Sequence, residues 1–142
     1  MDATTINETA ERLRRAITRL NRRLRHSSLG GISPAQASML VSVEKLKNPS
    51  LGDLALAEQL KPPSVTRIVQ NMQEAGLINC VVDPDDRRCT RVQLSAQGRK
   101  EITAIRRRKT EFLEQQLLAL DERDQRRAAE LVEFLETLLE ES

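Results

Sequence analysis

Residues 50–95 read SLGDLALAEQLKPPSVTRIVQNMQEAGLINCVVDPDDRRCTRVQLS, and this stretch decides the fold. Leu51 to Leu60 is a short amphipathic segment that ends at Lys61-Pro62-Pro63. A second helix is expected over about Pro62 to Ala75, with Gly76 as its stop. Two apolar and β-branched runs, Leu77 to Val82 and Thr90 to Leu94, then flank Asp83-Pro84-Asp85-Asp86-Arg87-Arg88, which predicts a hairpin with a charged tip. Helix, tight turn, helix and charged hairpin is the order of a winged helix-turn-helix, a fold that presents one helix to a DNA groove. The expected class is therefore mainly α with a small β-hairpin wing.

The second helix has two unlike faces. Val65, Ile68, Val69 and Met72 are spaced i, i+3, i+4, i+7 and line one side. Pro63, Arg67, Gln70 and Glu74 lie opposite, flanked by Thr66 and Asn71, with Ser64 near the helix start. Except for Glu74, that outer face suits a major groove: Arg can take both acceptors of guanine, and Gln or Asn both groups of adenine. A solvated polar face is the alternative for this helix taken alone. The hairpin is more specific. Arg87 and Arg88 at its tip can reach a minor groove, whose negative potential attracts Arg. Asp85 and Asp86 would repel phosphate, but a carboxylate can also grip a guanidinium and fix its direction.

Asp86-Arg87-Arg88-Cys89-Thr90-Arg91-Val92-Gln93-Leu94-Ser95 resembles the Asp-x-Arg-x-x-x-Val-x-Leu-Thr signature of the multiple antibiotic resistance regulator (MarR) family, with Ser95 in place of Thr. Ser64-Val65-Thr66-Arg67 and Glu74-Ala75-Gly76-Leu77-Ile78 are similar to that family's recognition helix and its exit into the wing. The resemblance is densest over residues 50–98. It implies that Asp86 orients Arg88 and that Arg88 enters the minor groove. Arg67, Ser64, Thr66 and Gln70 are the expected base readers, and Arg87 and Arg91 the expected phosphate contacts. One departure matters: where the family has a capping residue this chain has Lys61, followed by Pro62 and Pro63. Proline suits a first helical turn but removes N–H donors that could hold a phosphate.

Composition sets the limits. The chain has 142 residues, enough for one domain with a real core. Aromatics are 1% and charged residues 31%, so the core must be aliphatic. Net charge is only +2, but it is unevenly spread. Residues 6–26 balance at +5 (seven Arg against Glu8 and Glu11), residues 99–111 at +4 (six basic, two acidic), and residues 121–142 at −5 (three basic, eight acidic). No run approaches the roughly 18 apolar residues of a membrane span, and the polar N-terminus has no signal-peptide core, so a cytoplasmic protein is expected. Cys80 and Cys89 are then reduced thiols. Counted back from the loop, Val82 would face Cys89 and Cys80 would face Arg91. Cys89, which follows two Arg, is the candidate for a redox-reactive thiol.

The remaining chain is helical. Ile6, Ala10, Leu13, Ile17, Leu20 and Leu24 mark a narrow apolar seam on a helix over residues 4–26. That seam packs on its own domain or also against a partner chain. Ser33-Pro34-Ala35-Gln36 opens a helix running to about Leu46 and burying Ala37, Leu40, Val41 and Val43. Ser33 and Gln36 could meet a DNA phosphate at that helix start, or serve the helix alone. In the first helix of the helix-turn-helix, Leu51, Leu54, Ala55 and Leu60 are expected inward. A helix from about Ala96 to Leu120 has Ile102, Ile105, Phe112, Leu113, Leu117 and Leu120 on one side, and Arg106 to Lys109 as solvated surface or ion pairs. A last helix, about Glu122 to Glu140, should bury Ala128, Leu131, Leu135, Leu138 and Leu139, with Val132 and Phe134 partly enclosed. The two terminal helices, opposite in charge, should pack together, and in the family they build an intertwined homodimer.

These readings converge on one domain: residues 33–98 as the winged helix-turn-helix, residues 4–26 and 99–142 as its dimerisation helices. The expected function is a homodimeric transcription regulator, a repressor more often than an activator, on a near-palindromic operator of double-stranded DNA. The resemblance also implies release by a small aromatic or anionic effector, for which Arg15, Arg19 and His26 are the candidate anchors. The rival reading is an all-helical protein–protein interaction module, which leaves the Asp86–Ser95 pattern to chance. Catalysis is not expected. A triad needs a base, and His26 is the lone histidine. Two Cys and one His cannot build a separate four-ligand zinc site. There is no G-x-x-x-x-G-K-S/T phosphate loop and no G-x-G-x-x-G, so no cofactor or metal is expected.

Overall fold

The computed structural model describes residues 1–140. Glu141 and Ser142, the last residues of the segment expected to dimerise, lie outside the described residues. The elements run α1 (Ala3–Ser28), α2 (Pro34–Leu46), α3 (Leu51–Glu58), α4 (Pro62–Glu74), β1 (Ile78–Val82), β2 (Thr90–Leu94), α5 (Ala96–Leu118) and α6 (Glu122–Glu140). The architecture is mainly helical with one two-stranded antiparallel hairpin.

Local chemistry sets the boundaries. Asp2, Ser33, Ser50 and Ser95 each accept a backbone N–H three residues on and start α1, α2, α3 and α5. Ser33 with Gln36, and Ser50 with Asp53, form complete capping boxes. α2 ends where Lys47 and Asn48 turn left-handed (φ 51° and 61°) ahead of buried Pro49. α3 stops at Glu58, short of the expected Leu60, because Gln59 takes φ 54°. Leu60 lies on the exposed turn, not inside.

The core joins α2, α3, α4, the hairpin and the start of α5. Met39, Leu40, Val43, Leu54, Val65, Val69, Met72, Leu77, Ile78, Val92 and Ile102 form one buried cluster. The α4 face expected from its spacing is the face that is buried. In α2 the expectation was partly wrong: Met39 is fully buried while Val41 is 45% exposed. Apolar residues occur on several sides of that helix, so spacing alone could not select the stripe.

The hairpin register differs by one residue from the sequence count. Val82 pairs with Thr90, Val81 with Arg91 and Cys80 with Val92. Cys89 belongs to the tip turn: its carbonyl accepts from Asp83 N at 2.9 Å and its N–H donates to the Asp86 carbonyl at 2.9 Å. The wing is docked at its base, where Val92 N donates to the Pro49 carbonyl at 2.8 Å and Ser50 bridges to Arg91.

The terminal helices depart furthest from expectation. α1 packs against α5, and α6 also touches α5. The α6 side chains Leu131, Val132, Phe134, Leu138 and Leu139, expected to be buried or enclosed, are all exposed in the single chain, as are Ile6, Ile17 and Leu20 of α1 and Leu117 and Leu120. Ala128 and Leu135 are half-buried. Among the described residues, Leu131, Val132, Phe134 and Leu138 are left about half exposed. No described helix is long and apolar enough to cross a membrane.

Candidate nucleic-acid interface

α4 is held by its buried face, which leaves Pro63, Thr66, Arg67, Gln70, Asn71 and Glu74 exposed and Ser64 half-buried. The Thr66 hydroxyl donates to the Pro62 carbonyl at 3.0 Å, so toward a ligand it keeps its acceptor lone pairs. The start of α4 carries no anion cradle. Lys61 makes no side-chain cap, Pro62 and Pro63 have no N–H, and the N–H groups of Ser64 and Val65 both donate to the Lys61 carbonyl.

The wing tip is built around two aspartates. Asp83 Oδ1 accepts from the N–H groups of Asp85 (2.8 Å) and Asp86 (3.3 Å), which folds the tip into a turn. Asp86 Oδ1 accepts from Arg88 N at 3.1 Å and from Arg88 Nε at 3.2 Å. The Arg88 side chain is 92% exposed. It stands out from the tip with its root gripped by Asp86. Arg87 is exposed beside it.

Arg91 lies elsewhere. Its Nε donates to Asp83 Oδ2 at 3.0 Å and its Nη1 lies 3.7 Å from Asp53 Oδ2 on α3. The hydrogen bond to Asp83 holds the Arg91 pKa above its usual value. Hydrogen bonds, chiefly from the Asp85 backbone and then from Arg91, hold the Asp83 carboxyl below the usual carboxylate range. The Ser50 cap does the same for Asp53. Arg91, expected to meet phosphate, is thus engaged by two carboxylates of its own chain. Nothing in the sequence showed this pairing, although Asp-Pro-Asp-Asp is a pattern that favours side-chain-closed turns.

The other candidate residues are dispersed. Ser33 and Gln36 satisfy each other's backbone at 3.1 and 3.3 Å, with Ser33 exposed and Gln36 half-buried. Cys89 is half-buried near Arg91, with its sulfur 4.0 Å from the Thr90 carbonyl. Burial pushes the Cys80 thiol upward. Of the run Arg106–Lys109, three members are in ion pairs: Arg106 with Glu44, Arg107 with Glu111 (3.6 Å) and Arg108 with Glu101 (3.5 Å).

Arg15, Arg19 and His26, the candidate effector anchors, are exposed on α1, where Arg15 lies 3.9 Å from Glu11. A groove of about 540 Å³ opens between the end of α1, α2, the end of α3 and α5. Its cations are Arg25, Lys45 and Lys109. On its wall Glu58 accepts from the hydroxyls of Ser38 (2.7 Å) and Ser42, clamping the end of α3 to α2. These residues come from four elements, and helical spacing within any one of them gives no hint of the convergence.

Comparison with known proteins agrees with this geometry. A model described as the MarR family matches residues 32–90. An uncharacterised HTH-type transcriptional regulator of Mycobacterium bovis is 33% identical over 132 residues, spanning 89% of this chain and 90% of that protein. Among solved structures, a transcriptional regulator of Thermotoga maritima superposes with a TM-score of 0.81 at 19% identity, covering 92% of this chain and 96% of that one. A Staphylococcus aureus MepR variant bound to an oligodeoxyribonucleotide superposes with a TM-score of 0.72 at 21% identity, covering 92% and 97%. The winged helix-turn-helix and the relatives matched along nearly the whole chain lead to one conclusion: this protein belongs to the MarR family of transcription regulators.

Proposed function

We propose that the chain acts as a homodimeric repressor that binds a near-palindromic operator in double-stranded DNA and leaves it when a small ligand binds. Residues 33–98 form the reading head, and residues 4–26 and 99–142 the dimerisation region. The observation that carries the reading is Arg88, which projects from the wing tip while Asp86 fixes its root. In each protomer α4 enters a major groove and Arg88 the adjacent minor groove. Arg67, Gln70, Thr66 and Ser64 meet base edges, Pro63 packs beside them, and Arg87 meets phosphate, with Ser33 and Gln36 at the backbone. The MepR variant bound to an oligodeoxyribonucleotide supports this use of the fold.

The exposed apolar residues of α1, α5 and α6 support a second copy as the partner, because a row such as Leu131, Phe134 and Leu138 is costly to leave in water. The acidic α6 and the Arg-rich α1 complement each other across such an interface. Two heads about 34–36 Å apart meet successive turns of one duplex face. The groove with Arg25, Lys45 and Lys109 offers cations to an anionic or aromatic effector, beside the anchors Arg15, Arg19 and His26 on α1. Such an effector acts only by favouring one spacing of the heads over another. The protein works in the cytoplasm without catalysis or a cofactor. Gel-shift titration against genomic fragments over a salt series tests the reading. Log affinity should fall linearly with log salt. Binding to no fragment, or binding indifferent to salt, rejects it.

A further inference from the structure

We propose that Arg91 is a positioning residue, which locks the wing tip so that Arg88 points into the groove, and that it makes no phosphate contact of its own. This rests on the reading that the wing tip meets DNA. The argument begins with Arg88. An ion pair as exposed as Arg88–Asp86 contributes little free energy, and Asp86 can fix the root of Arg88 only as firmly as its own backbone is held. The direction must come from the backbone that carries Asp86. That backbone is held by Asp83, whose Oδ1 takes the N–H groups of Asp85 and Asp86. Asp83 is in turn held by Arg91, whose Nε meets Oδ2, the oxygen the turn leaves free. Arg91 finally reaches Asp53, half of the capping box that starts α3. The chain of contacts therefore runs from α3 through Arg91 and Asp83 to the tip amides, Asp86 and Arg88.

Burial and charge agree with this role. The Arg91 side chain is 32% exposed and that of Asp83 15%, against 92% for Arg88. Arg91 with Asp83 and Asp53 sums to a formal charge of −1, which repels an approaching phosphate. A phosphate at Arg91 would compete with Asp83 and Asp53 for the guanidinium and draw it away from the carboxylate that holds the tip turn. The backbone at Arg91 is fixed as well, by the bridge to Ser50 and the neighbouring bond from Val92 to Pro49. The guanidinium thus has a rigid base from which to brace a loop.

Two measurements on the full chain separate a brace from a contact. Backbone relaxation of the free protein reads the tip directly. In Arg91→Ala the order parameters of Asp85 and Asp86 should fall from about 0.85 to below about 0.6, while those of Met72 and Ile102 stay unchanged. Affinity is then measured on a fluorescent duplex selected by the parent from a random duplex library. Arg91→Ala should weaken binding about tenfold, the size of one lost groove contact. The double variant Arg88→Ala/Arg91→Ala should bind within about twofold of Arg88→Ala alone, because both changes remove the same contact. Unchanged order parameters at the tip, or losses that simply add in the double variant, overturn the proposal. The relaxation arm needs no DNA, so it decides the brace even if the parent selects no duplex, the result that would sink the DNA reading itself.

Discussion

Replacing Ser95 by Ala should remove about 2 kcal/mol of stability, and the structure shows where each part comes from. Ser95 Oγ accepts the Gly98 N–H at 3.0 Å and caps α5. The same hydroxyl donates to the Gly76 carbonyl, at the turn that ends α4. Ser95 N also donates to the Leu77 carbonyl at 3.1 Å. The side chain therefore ties the exit of α4 to the start of α5, and the backbone N–H, which a substitution leaves in place, adds the bond to Leu77. Losing an N-cap costs about 1 kcal/mol. Losing the second hydrogen bond costs about 1 kcal/mol more, toward the lower end because water can reach the exposed Gly76. Ser95→Thr keeps the hydroxyl and should stay within about 0.5 kcal/mol of the parent. Urea unfolding at one fixed protomer concentration measures this, since self-association would otherwise shift the midpoint. With a slope of about 1–3 kcal/mol/M, the Ala variant should melt roughly 1 M earlier. An Ala variant as stable as the parent, or a Thr variant as weak as Ala, would refute the reasoning.

Gly98→Ala should be worse than its helix propensity suggests: an added Cβ would lie 2.1 Å from the Leu77 carbonyl oxygen, a backbone atom that cannot swing away. The gain of about 1 kcal/mol from Ala in a helix is outweighed, and a net loss of about 2 kcal/mol or more is expected in the same urea assay. Arg67→Ala should cost about 1–3 kcal/mol of DNA affinity and relax one base preference in a selection experiment, whereas an unchanged preference would remove Arg67 from the base readers. Asp53 and Asp83 have folded pKa values below the ordinary aspartate value of 3.8, so their contribution is fully present above it and is lost as pH falls through the depressed values. Tip order parameters should then hold from pH 8 to about 4 and drop only under more acid conditions. Glu at both Leu131 and Phe134 should convert the protein to a single-subunit mass in sedimentation, and a parent that is already monomeric at micromolar concentration would refute the dimer.

Much was determined by sequence alone because the deciding patterns are local. The α4 stripe of Val65, Ile68, Val69 and Met72 is a property of one helix, and it came out as spacing said. The same holds for the Ser33 and Ser50 caps, the stops at Pro49 and Gly76, and Asp86 gripping Arg88 two residues away. Only the tertiary structure decided what depends on partners distant in the chain. Which α2 residues are buried was settled by the neighbours that pack there, since its apolar residues point several ways. The hairpin register was settled by hydrogen bonds that draw Cys89 into the tip, and with period-two strands a slip of one residue changes which side chains meet. The pairing of Arg91 with Asp53 and Asp83 was settled there too, because a sequence shows a charge but not the two carboxylates that fold against it. The groove with Arg25, Lys45 and Lys109 drew its walls from four elements for the same reason: side chains converge in space, and the order of residues along a chain does not record that distance.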